Sequence, residues 1–417
     1  MKKVLIVSNN CFSSTRNNGK TLYSFFKNMD KKYIAQLFFK EEIPDIIEKY
    51  NYFKITDKDI LFKVFNKLGF KKRQNNHNSL KKIENTKNKG EILRLVREFL
   101  WKTKVWKTLE LINWLDEFRP EIIFFCAGDS CFAYDIVNFI KSRYKSEVIV
   151  YITDDYILPK KTLNIFWWLR RNIIFFKMKK IIEISKEFFL ISPKMKKEYY
   201  KIFNKKGNLL LNLPEKTLEK NSVKKYDLNN LNVVYMGGFH YGRDLILLKI
   251  AEIIENICMK QKINITFQIY STQKLDEEIK NKIARLKNTS FCGSLTKQEV
   301  ENKLKEEVIL LHVESFERKF IEKTILSFST KISEYLMSKN IILGIGPKEI
   351  ASIDFLYNQT CCITDFNNLE KGLEKIFKDL PQKNESLSEY FEIKNEELQN
   401  ELLKSEELLD KYIYSNK

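Results

Sequence analysis

The sequence is poor in the residues that most often hold metal ions or disulfide bonds. Its three histidines, His77, His240 and His312, lie far apart along the chain. Its seven cysteines are scattered and odd in number, and no two of them have Cys-x-x-Cys spacing. These absences argue against a disulfide framework and a zinc site, and they favour a reduced, cytoplasmic setting. We therefore expect neither a metal ion nor a cofactor.

Long apolar runs are missing as well. Because no stretch of about 18 uninterrupted apolar residues occurs, the sequence predicts no transmembrane helix. The opening residues, MKKVLIVSNN, enter a strand-like pattern by residue 3. We expect no signal peptide, since that would need a longer apolar region.

Basic residues outnumber acidic residues in this sequence. The chain has 54 Asp and Glu against 73 Lys and Arg, which gives a formal net charge of +19. An excess of this size indicates an anionic partner, such as nucleic acid, a phosphorylated ligand or an anionic membrane leaflet.

The chain is long enough and apolar enough for two domains, because 417 residues with 44% apolar content can fill two cores. Short apolar runs alternate with amphipathic stretches such as Ile92–Phe118 and Phe132–Tyr144. This alternation predicts an α/β fold with mainly parallel, doubly wound sheets. The predicted strands are Val4–Ser8, Ile34–Phe39, Ile122–Cys126, Val148–Thr153, Phe188–Ser192, Val233–Met236, Ile265–Tyr270, Ser290–Cys292, Val308–Val313, Ile341–Leu343 and Cys361–Thr364.

A polar stretch, 214–231, divides the pattern and is predicted to be a linker. We expect a Rossmann-like domain over 1–213, with a polar insertion at 56–91, and a second one over 232–386. A charged helical tail, 387–417, follows. Two such domains in tandem typically bind a ligand in the cleft between them, at the carboxyl ends of their strands.

The first candidate motif is NVVYMGGFHYGRD, residues 232–244. Gly237 and Gly238 follow a predicted strand and allow close backbone approach, and the next helix offers free N–H groups. Arg243 supplies a planar fork that suits phosphate oxygens. The alternative is an ordinary strand-to-helix turn with a surface arginine.

The second is SFSTKISEYLMSKNIILGIGP, residues 327–347. Ser329 and Thr330 are placed at a predicted helix start, where they would cap the helix or bind an anion. Lys331 suits a diphosphate, and Glu334 suits the hydroxyls of a ribose. Because residues three apart share a helix face, a capped surface helix with one ion pair is the alternative.

Together with SFCGSLTKQEV, residues 290–300, these motifs resemble the C-terminal half of GT-B glycosyltransferases that use nucleotide sugars. The resemblance implies a GT-B fold, with Gly237, Gly238, Gly293, Ser329 and Thr330 around the donor. It implies that Arg243 and Lys331 bind the donor diphosphate, and that Glu334 binds the ribose. Lys331 and Glu334 are then separate ligand contacts rather than partners of each other.

The sequence departs from the family at one position. Many relatives carry two glutamates with seven residues between them, and Leu326 stands where the first would be. A leucine side chain cannot hydrogen-bond a sugar.

The loop after the first strand, SNNCFSSTRNNGKTLYSFF, contains Gly19, Lys20 and Thr21. In GT-B enzymes this loop approaches the donor diphosphate, which implicates Gly19. A nucleotide-binding P-loop ending in Gly-Lys-Thr is the competing interpretation, but Ser14 stands where that motif requires a glycine.

Asp154 and Asp155 follow another predicted strand. Either could position an acceptor hydroxyl or act as a general base. Capping of a helix is the alternative role for each of them.

The segment 158–180 holds seven Lys or Arg, no acid, two Trp and three Phe, and 95–109 is similar in character. Basic helices with bulky aromatic residues favour the surface of an anionic bilayer. Arg170 and Arg171 interrupt the apolar run, so the segment should lie on the membrane rather than cross it. Burial of the aromatic residues in the core is the alternative.

We therefore expect a metal-independent glycosyltransferase at the inner face of the plasma membrane. It would transfer a sugar from a nucleotide diphosphate sugar to a hydroxyl of a glycan, in particular a lipid-linked cell-surface glycan. A non-catalytic GT-B scaffold stays open. A nucleic-acid-binding protein is disfavoured, because no binding module is recognisable.

Overall fold

The computed structural model describes residues 1–14, 17–46, 50–67, 87–211, 230–261, 263–306, 308–338, 340–357, 361–379, 403–404 and 407–414. The chain forms two compact units. The first consists of Met1–Ile191, Lys196–Leu210 and Ser405–Lys417, and the second of Ser192–Met195 and Leu211–Lys404.

The first unit is built on a parallel sheet of seven strands in the order β3-β2-β1-β4-β5-β6-β7. Helices cover both faces of such a sheet, which explains why its central strands are almost continuously apolar and buried. The strands are β1 (Val4–Ser8), β2 (Ile34–Phe38), β3 (Asn51–Lys54), β4 (Ile122–Ala127), β5 (Glu147–Ile152), β6 (Glu187–Leu190) and β7 (Asn208–Leu209).

Among the described residues up to 211, seven α-helices connect these strands or follow them. They are α1 (Asn17–Phe26), α2 (Asp57–Lys67), α3 (Lys87–Lys102), α4 (Leu109–Phe118), α5 (Cys131–Tyr144), α6 (Ile165–Ile184) and α7 (Pro193–Phe203).

The second unit contains a parallel sheet of six strands in the order β10-β9-β8-β11-β12-β13. Alternate residues of its central strands, such as Leu311 and Val313 of β11, enter one apolar core with α8 and α14. The strands are β8 (Asn230–Met236), β9 (Asn264–Tyr270), β10 (Thr289–Gly293), β11 (Ile309–Val313), β12 (Ile341–Ile345) and β13 (Cys361–Ile363). The helices are α8 (Arg243–Gln261), α9 (Glu277–Ile283), α10 (Lys297–Lys305), α11 (Arg318–Thr324), α12 (Thr330–Met337), α13 (Ala351–Tyr357) and α14 (Leu369–Asp379).

The predicted α/β architecture is confirmed, since every predicted strand is present to within two residues at either end, apart from the N-terminal end of β8, which lies three residues earlier. Two short strands, β3 and β7, were not predicted. The amphipathic stretch 92–118 forms two helices rather than one, because Lys104 adopts a positive φ of 61° and Thr108 caps a new helix.

Parts of the predicted domain scheme lie outside the described residues. Of the predicted linker 214–231, only Asn230 and Leu231 are described, and they begin β8. The predicted insertion, 56–91, includes α2 and the start of α3, with 68–86 outside the described residues. Within the predicted tail, 407–414 is helical, and it belongs to the first unit, where Lys2 N–H donates to Ile413 O.

Candidate functional site

A cavity of about 320 Å³ opens in the second unit, at the carboxyl ends of β8, β9 and β11 and the start of α12. This is the edge of a parallel sheet at which ligands generally bind. Five of the residues predicted to bind a donor line the cavity: Gly237, Gly238, Arg243, Ser329 and Lys331. Residues nearly 100 positions apart in the sequence are therefore brought together at one cavity.

The glycine turn is compact. Gly237 N–H donates to Tyr270 O at 3.1 Å, and Tyr235 Oη donates to Gly238 O at 2.6 Å. A Cβ on Gly237 would lie 2.6 Å from Tyr235 Oη, so no larger residue fits without moving that ring. The turn leads into α8, which begins at Arg243.

Arg243 is held by a residue that the sequence did not identify. Its Nη2 donates to both carboxylate oxygens of Glu314 at 2.8 Å. Glu314 follows β11, and only 2% of its side chain is exposed. Burial alone would raise the pKa of the Glu314 carboxyl, but His312 and Arg243 together hold that pKa below its usual range.

The start of α12 has the predicted cap. Ser329 is the N-cap residue, and its Oγ accepts from Lys331 N–H at 3.3 Å. Thr330 is the first helical residue. Lys331 Nζ lies 2.6 Å from Glu334 Oε2, so these two side chains, expected to contact a ligand separately, form an ion pair in this structure.

Three predicted donor-binding residues of the second unit, Gly293, Thr330 and Glu334, are not among the described residues that line the cavity. Gly293 ends β10 with a positive φ of 77°, and its carbonyl accepts from Ser271 N–H at 2.7 Å. Thr330 and Glu334 belong to α12. Leu326, where relatives carry an acid, is buried.

The sequence motifs did not identify His312, Glu314 or the segment 270–272. The first residue of that segment ends β9, and the other two follow it. The available signal was their position, because each lies at the carboxyl end of a predicted strand next to the glycine turn. The contact of Glu314 with Arg243 had no such signal, since 71 positions separate the two residues.

In the first unit, Asp154 and Asp155 differ in environment. Asp155 Oδ1 accepts from Ile157 N–H, Leu158 N–H and Tyr199 Oη, at 3.1, 3.1 and 3.2 Å. Its carboxylate therefore fixes the turn that follows β5.

Asp154 makes fewer contacts, with Thr153 Oγ1 and Tyr156 Oη each donating to Oδ2 at 3.3 Å. Burial raises the pKa of the Asp154 carboxyl, with Asp129 and Asp155 adding to the effect. A raised pKa suits the Asp154 carboxylate to act as a base.

Gly19 has a packing role. It lies in the first turn of α1, and a Cβ at this position would stand 2.1 Å from Cys11 O. The neighbouring Asn18 donates from Nδ2 to Thr153 Oγ1 at 3.0 Å, which links α1 to the carboxyl end of β5. Glycine is therefore required here for α1 to approach the loop after β1.

Helix α6 has two apolar faces. One is buried and includes Ile174, Met178 and Ile181. The opposite face is exposed. Its large apolar residues are Ile165, Phe166, Leu169 and Phe176.

Arg170 does not face solvent as a membrane-surface residue would. Only 8% of its side chain is exposed, and its Nη2 donates to Asp129 Oδ2 at 2.5 Å. Arg171 Nε donates to Ile157 O at 2.6 Å. The interruption of the apolar run by these arginines therefore reflects internal contacts.

The segment 95–109 also has buried apolar residues on one side and exposed apolar residues on another. Trp101 and Trp106 are buried, and Trp101 stacks on Phe132 with ring centroids 3.6 Å apart. The tryptophans of this segment thus belong to the core. The exposed apolar residues of α3 lie on another face and are Ile92, Leu93, Val96 and Phe99.

Two features are absent from the described ranges. None of their helices combines the length and the apolar character needed to cross a bilayer. No group of three or more His, Cys, Asp or Glu within them is arranged to hold a metal ion.

Comparison with solved structures identifies the fold. No family model matches the chain, and no curated protein matches it in sequence. Solved structures do match along nearly the whole chain. HepE of Anabaena, in complex with UDP, has a TM-score of 0.61 and 10% identity, with 99% of this chain and 100% of that chain covered.

Two further structures agree. WaaG, a glycosyltransferase involved in lipopolysaccharide biosynthesis, has a TM-score of 0.53 and 10% identity, with 99% and 100% coverage. The α,α-trehalose 6-phosphate synthase of Burkholderia multivorans has a TM-score of 0.56 and 9% identity, with 97% and 95% coverage. At these identities the likeness shows the fold alone, and it confirms the predicted GT-B fold of two Rossmann-like units.

Proposed function

We propose that this chain, which has the GT-B fold, is a glycosyltransferase that uses a nucleotide diphosphate sugar. The observation that carries the proposal is the cavity where the glycine turn, Arg243, Ser329 and Lys331 converge. Support comes from the similar fold of Anabaena HepE, whose structures contain UDP and UDP-glucose.

The cavity offers the chemistry that departure of a diphosphate requires. Negative charge grows on the leaving oxygen as the bond to the sugar breaks, and fixed positive groups stabilise it. Arg243 supplies a fixed guanidinium, and the N-terminus of α12, capped by Ser329, adds the positive end of a helix dipole. These groups make a divalent metal unnecessary in the proposed reaction.

Lys331 would act by exchanging partners. Its ammonium is bound to Glu334, and both side chains are partly exposed, at 31% and 16%. A diphosphate would compete for Lys331, and Glu334 would then accept hydrogen bonds from ribose hydroxyls. Because the pair is partly solvated, its separation requires little free energy.

Asp154 is the proposed base or positioning group for the acceptor hydroxyl. Its raised pKa makes it a stronger base than an ordinary aspartate. The proposed acceptor is a hydroxyl of a glycan, in particular a lipid-linked precursor of a cell-surface polysaccharide.

Nucleotide binding tests the donor site. UDP, GDP and ADP would be titrated against the full chain by calorimetry and thermal shift, and the best ligand should raise the melting temperature in a concentration-dependent way. Lys331→Ala should weaken its binding about tenfold to a hundredfold, as expected for loss of a charge-assisted contact. Lys249→Ala is the matched control, because Lys249 also forms an i,i+3 ion pair on an exposed helix face.

Turnover separates an enzyme from a scaffold. An enzyme releases nucleoside diphosphate from its bound donor sugar, with EDTA having no effect. Binding without release would instead support the non-catalytic scaffold. Salt-sensitive binding to DNA that nucleotides do not displace would refute the donor site.

We further propose that the exposed face of α6 contacts an anionic membrane at the cytoplasmic side. Large apolar residues on this face, with Lys179 and Lys180 exposed on the same helix, suit an interfacial position. The exposed stripe of α3, Ile92 to Phe99, supports the same orientation, since α3 packs against α6.

Vesicle co-sedimentation tests this contact. Binding should increase with the fraction of phosphatidylglycerol in phosphatidylcholine vesicles, and Phe166→Ser with Leu169→Ser should reduce it several-fold. Met259→Ser is the control, because Met259 is more exposed than Phe166 or Leu169 but lies in the second unit. Equal binding to neutral and anionic vesicles would contradict the proposal.

A further inference from the structure

His312 is a polar residue in an otherwise apolar buried strand. It interrupts the sequence ILLHV of β11, in which all five residues are buried. Because side chains alternate along a strand, His312 points away from the core face that Leu311 and Val313 occupy. It lines the cavity of the second unit.

The Nε2 atom of His312 has no hydrogen bond within the described part of the chain, although only 7% of the side chain is exposed. Glu314 Oε1 lies 3.4 Å away without hydrogen-bonding geometry. His312 Nε2 thus has an electrostatic contact with Glu314 but no hydrogen bond among the described residues, which is unfavourable for a buried nitrogen, so its presence in an apolar strand requires a reason.

Arg243 shows the same feature. Its Nη2 is bound by Glu314, but its Nε is buried and makes no hydrogen bond in the described ranges. Both nitrogens belong to residues that line the cavity, and both adjoin one carboxylate. A ligand oxygen that accepts hydrogen bonds would satisfy them.

We propose that His312 is a ligand-contact residue whose Nε2–H donates to a diphosphate oxygen of the nucleotide donor. Glu314 is the positioning residue that holds Arg243 beside it. This inference rests on the proposed donor site and adds a contact that the sequence motifs do not contain. His312 and Arg243 both adjoin Glu314, so the two donors lie close together, and Arg243 is proposed to bind the diphosphate. A diphosphate oxygen is the proposed acceptor for His312 as well, because anionic oxygens are the acceptors that such donors bind most strongly.

Two substitutions and two ligands test the contact. His312→Leu removes the nitrogen at similar volume, whereas His312→Gln keeps a donor in a comparable position. UDP and uridine would be titrated by ligand-observed NMR against the full chain. We expect His312→Leu to weaken UDP binding about tenfold to a hundredfold, and His312→Gln to restore most of it. Uridine binding should be the same in all three proteins.

Other results would overturn the inference in distinguishable ways. If His312→Leu binds UDP as tightly as the wild type while Lys331→Ala loses it, the donor site stands and the His312 contact is refuted. Equal losses for UDP and uridine would place the contact at the nucleoside. Failure of the wild type to bind UDP, GDP or ADP would refute the contact and the proposed function together. Melting temperatures of the free variants establish that each one folds.

Discussion

Arg243 and Lys331, the two cations proposed to bind a diphosphate, each face a carboxylate. Arg243 meets Glu314, which is buried, and Lys331 meets Glu334, which is partly exposed. The free energy needed to separate the two pairs differs, because separation of a buried pair leaves an uncompensated charge in a poorly solvated place. Glu314 is thus a fixed partner, whereas Glu334 can be exchanged for a ligand.

Glu314→Gln should lower the free energy of unfolding by about 3 kcal/mol, at the low end for breaking a buried pair, since 20% of the Arg243 side chain stays exposed. The pKa of Glu314 is below its ordinary value of 4.5 in the folded state. Its stabilisation is therefore complete above that value and is lost as pH falls through the folded pKa.

Thermal unfolding of wild type and variant between pH 7 and pH 3 measures this effect. The difference in stability should be largest at pH 7 and should shrink on acidification. A difference that does not change with pH would contradict the role of the Glu314 charge.

Asp154→Asn should have opposite effects on stability and activity. The raised pKa of Asp154 means that its ionised form is disfavoured in the folded protein. That penalty is present above the folded pKa and disappears as pH falls below the unfolded value of 3.8. The variant should therefore melt at a higher temperature at pH 7, and turnover should fall about 10²- to 10⁴-fold, the range for loss of a general base.

Asp155→Asn is the comparison. Asp155 accepts three hydrogen bonds, so this variant should melt at a lower temperature and lose less activity. If Asp154→Asn keeps full turnover, Asp154 is not the base.

At the scale of elements, the close approach of α1 to the loop after β1 explains why α1 contains a glycine, Gly19. The helix starts in the loop after β1, and at Gly19 it meets the backbone of Cys11 with no space for a methyl group. The contact fixes where α1 begins relative to β5, because the adjacent Asn18 binds Thr153. The glycine of Gly-Lys-Thr thus has a structural cause that does not require a nucleotide.

Gly19→Ala should lower the free energy of unfolding by about 1–3 kcal/mol, because the new Cβ must displace backbone. Gly90→Ala is the matched control: Gly90 is also near the start of a helix, α3, but its Cβ would meet nothing within 4 Å. That variant should gain about 0.5–1 kcal/mol. Chemical denaturation measures both, and equal effects would contradict the packing account.

At the scale of the whole molecule, the first unit is completed by the end of the chain. The helical segment 407–414 places Leu409 and Ile413 in buried positions, and Tyr412 Oη donates to Glu187 Oε1 at 2.5 Å. The first unit is therefore discontinuous in sequence, and its stability depends on residues that follow the second unit.

Leu409→Ala should destabilise the first unit by about 2–5 kcal/mol, as expected for a truncated core residue. The two units can be followed separately, since all five tryptophans belong to the first: Trp101, Trp106, Trp114, Trp167 and Trp168. The transition in tryptophan fluorescence should move to lower temperature. Leu373→Ala, in the core of the second unit, should shift circular dichroism without a matching shift in fluorescence. An unchanged fluorescence transition in Leu409→Ala would contradict the packing of the terminal segment.

The sequence by itself determined the alternation of elements, the parallel sheets and the strand ends at which the candidate site lies. These follow from local causes: buried parallel strands must be apolar on both faces, and turns beside a ligand need glycine. The motifs around Gly237 and Lys331 were found for the same reason, because each is a short run with its own chemistry.

Only the tertiary structure decided which side chains meet. The contact of Glu314 with Arg243 and the contact of Arg170 with Asp129 each join residues distant in sequence, and the burial of His312 Nε2 without a hydrogen bond in the described ranges depends on the packing around β11. No local pattern encodes these contacts, because they depend on the register of neighbouring strands and the placement of helices over them. Even within a single helix turn the sequence left two arrangements of Lys331 and Glu334 open, because their spacing allows either an ion pair or two separate ligand contacts. The structure contains the pair.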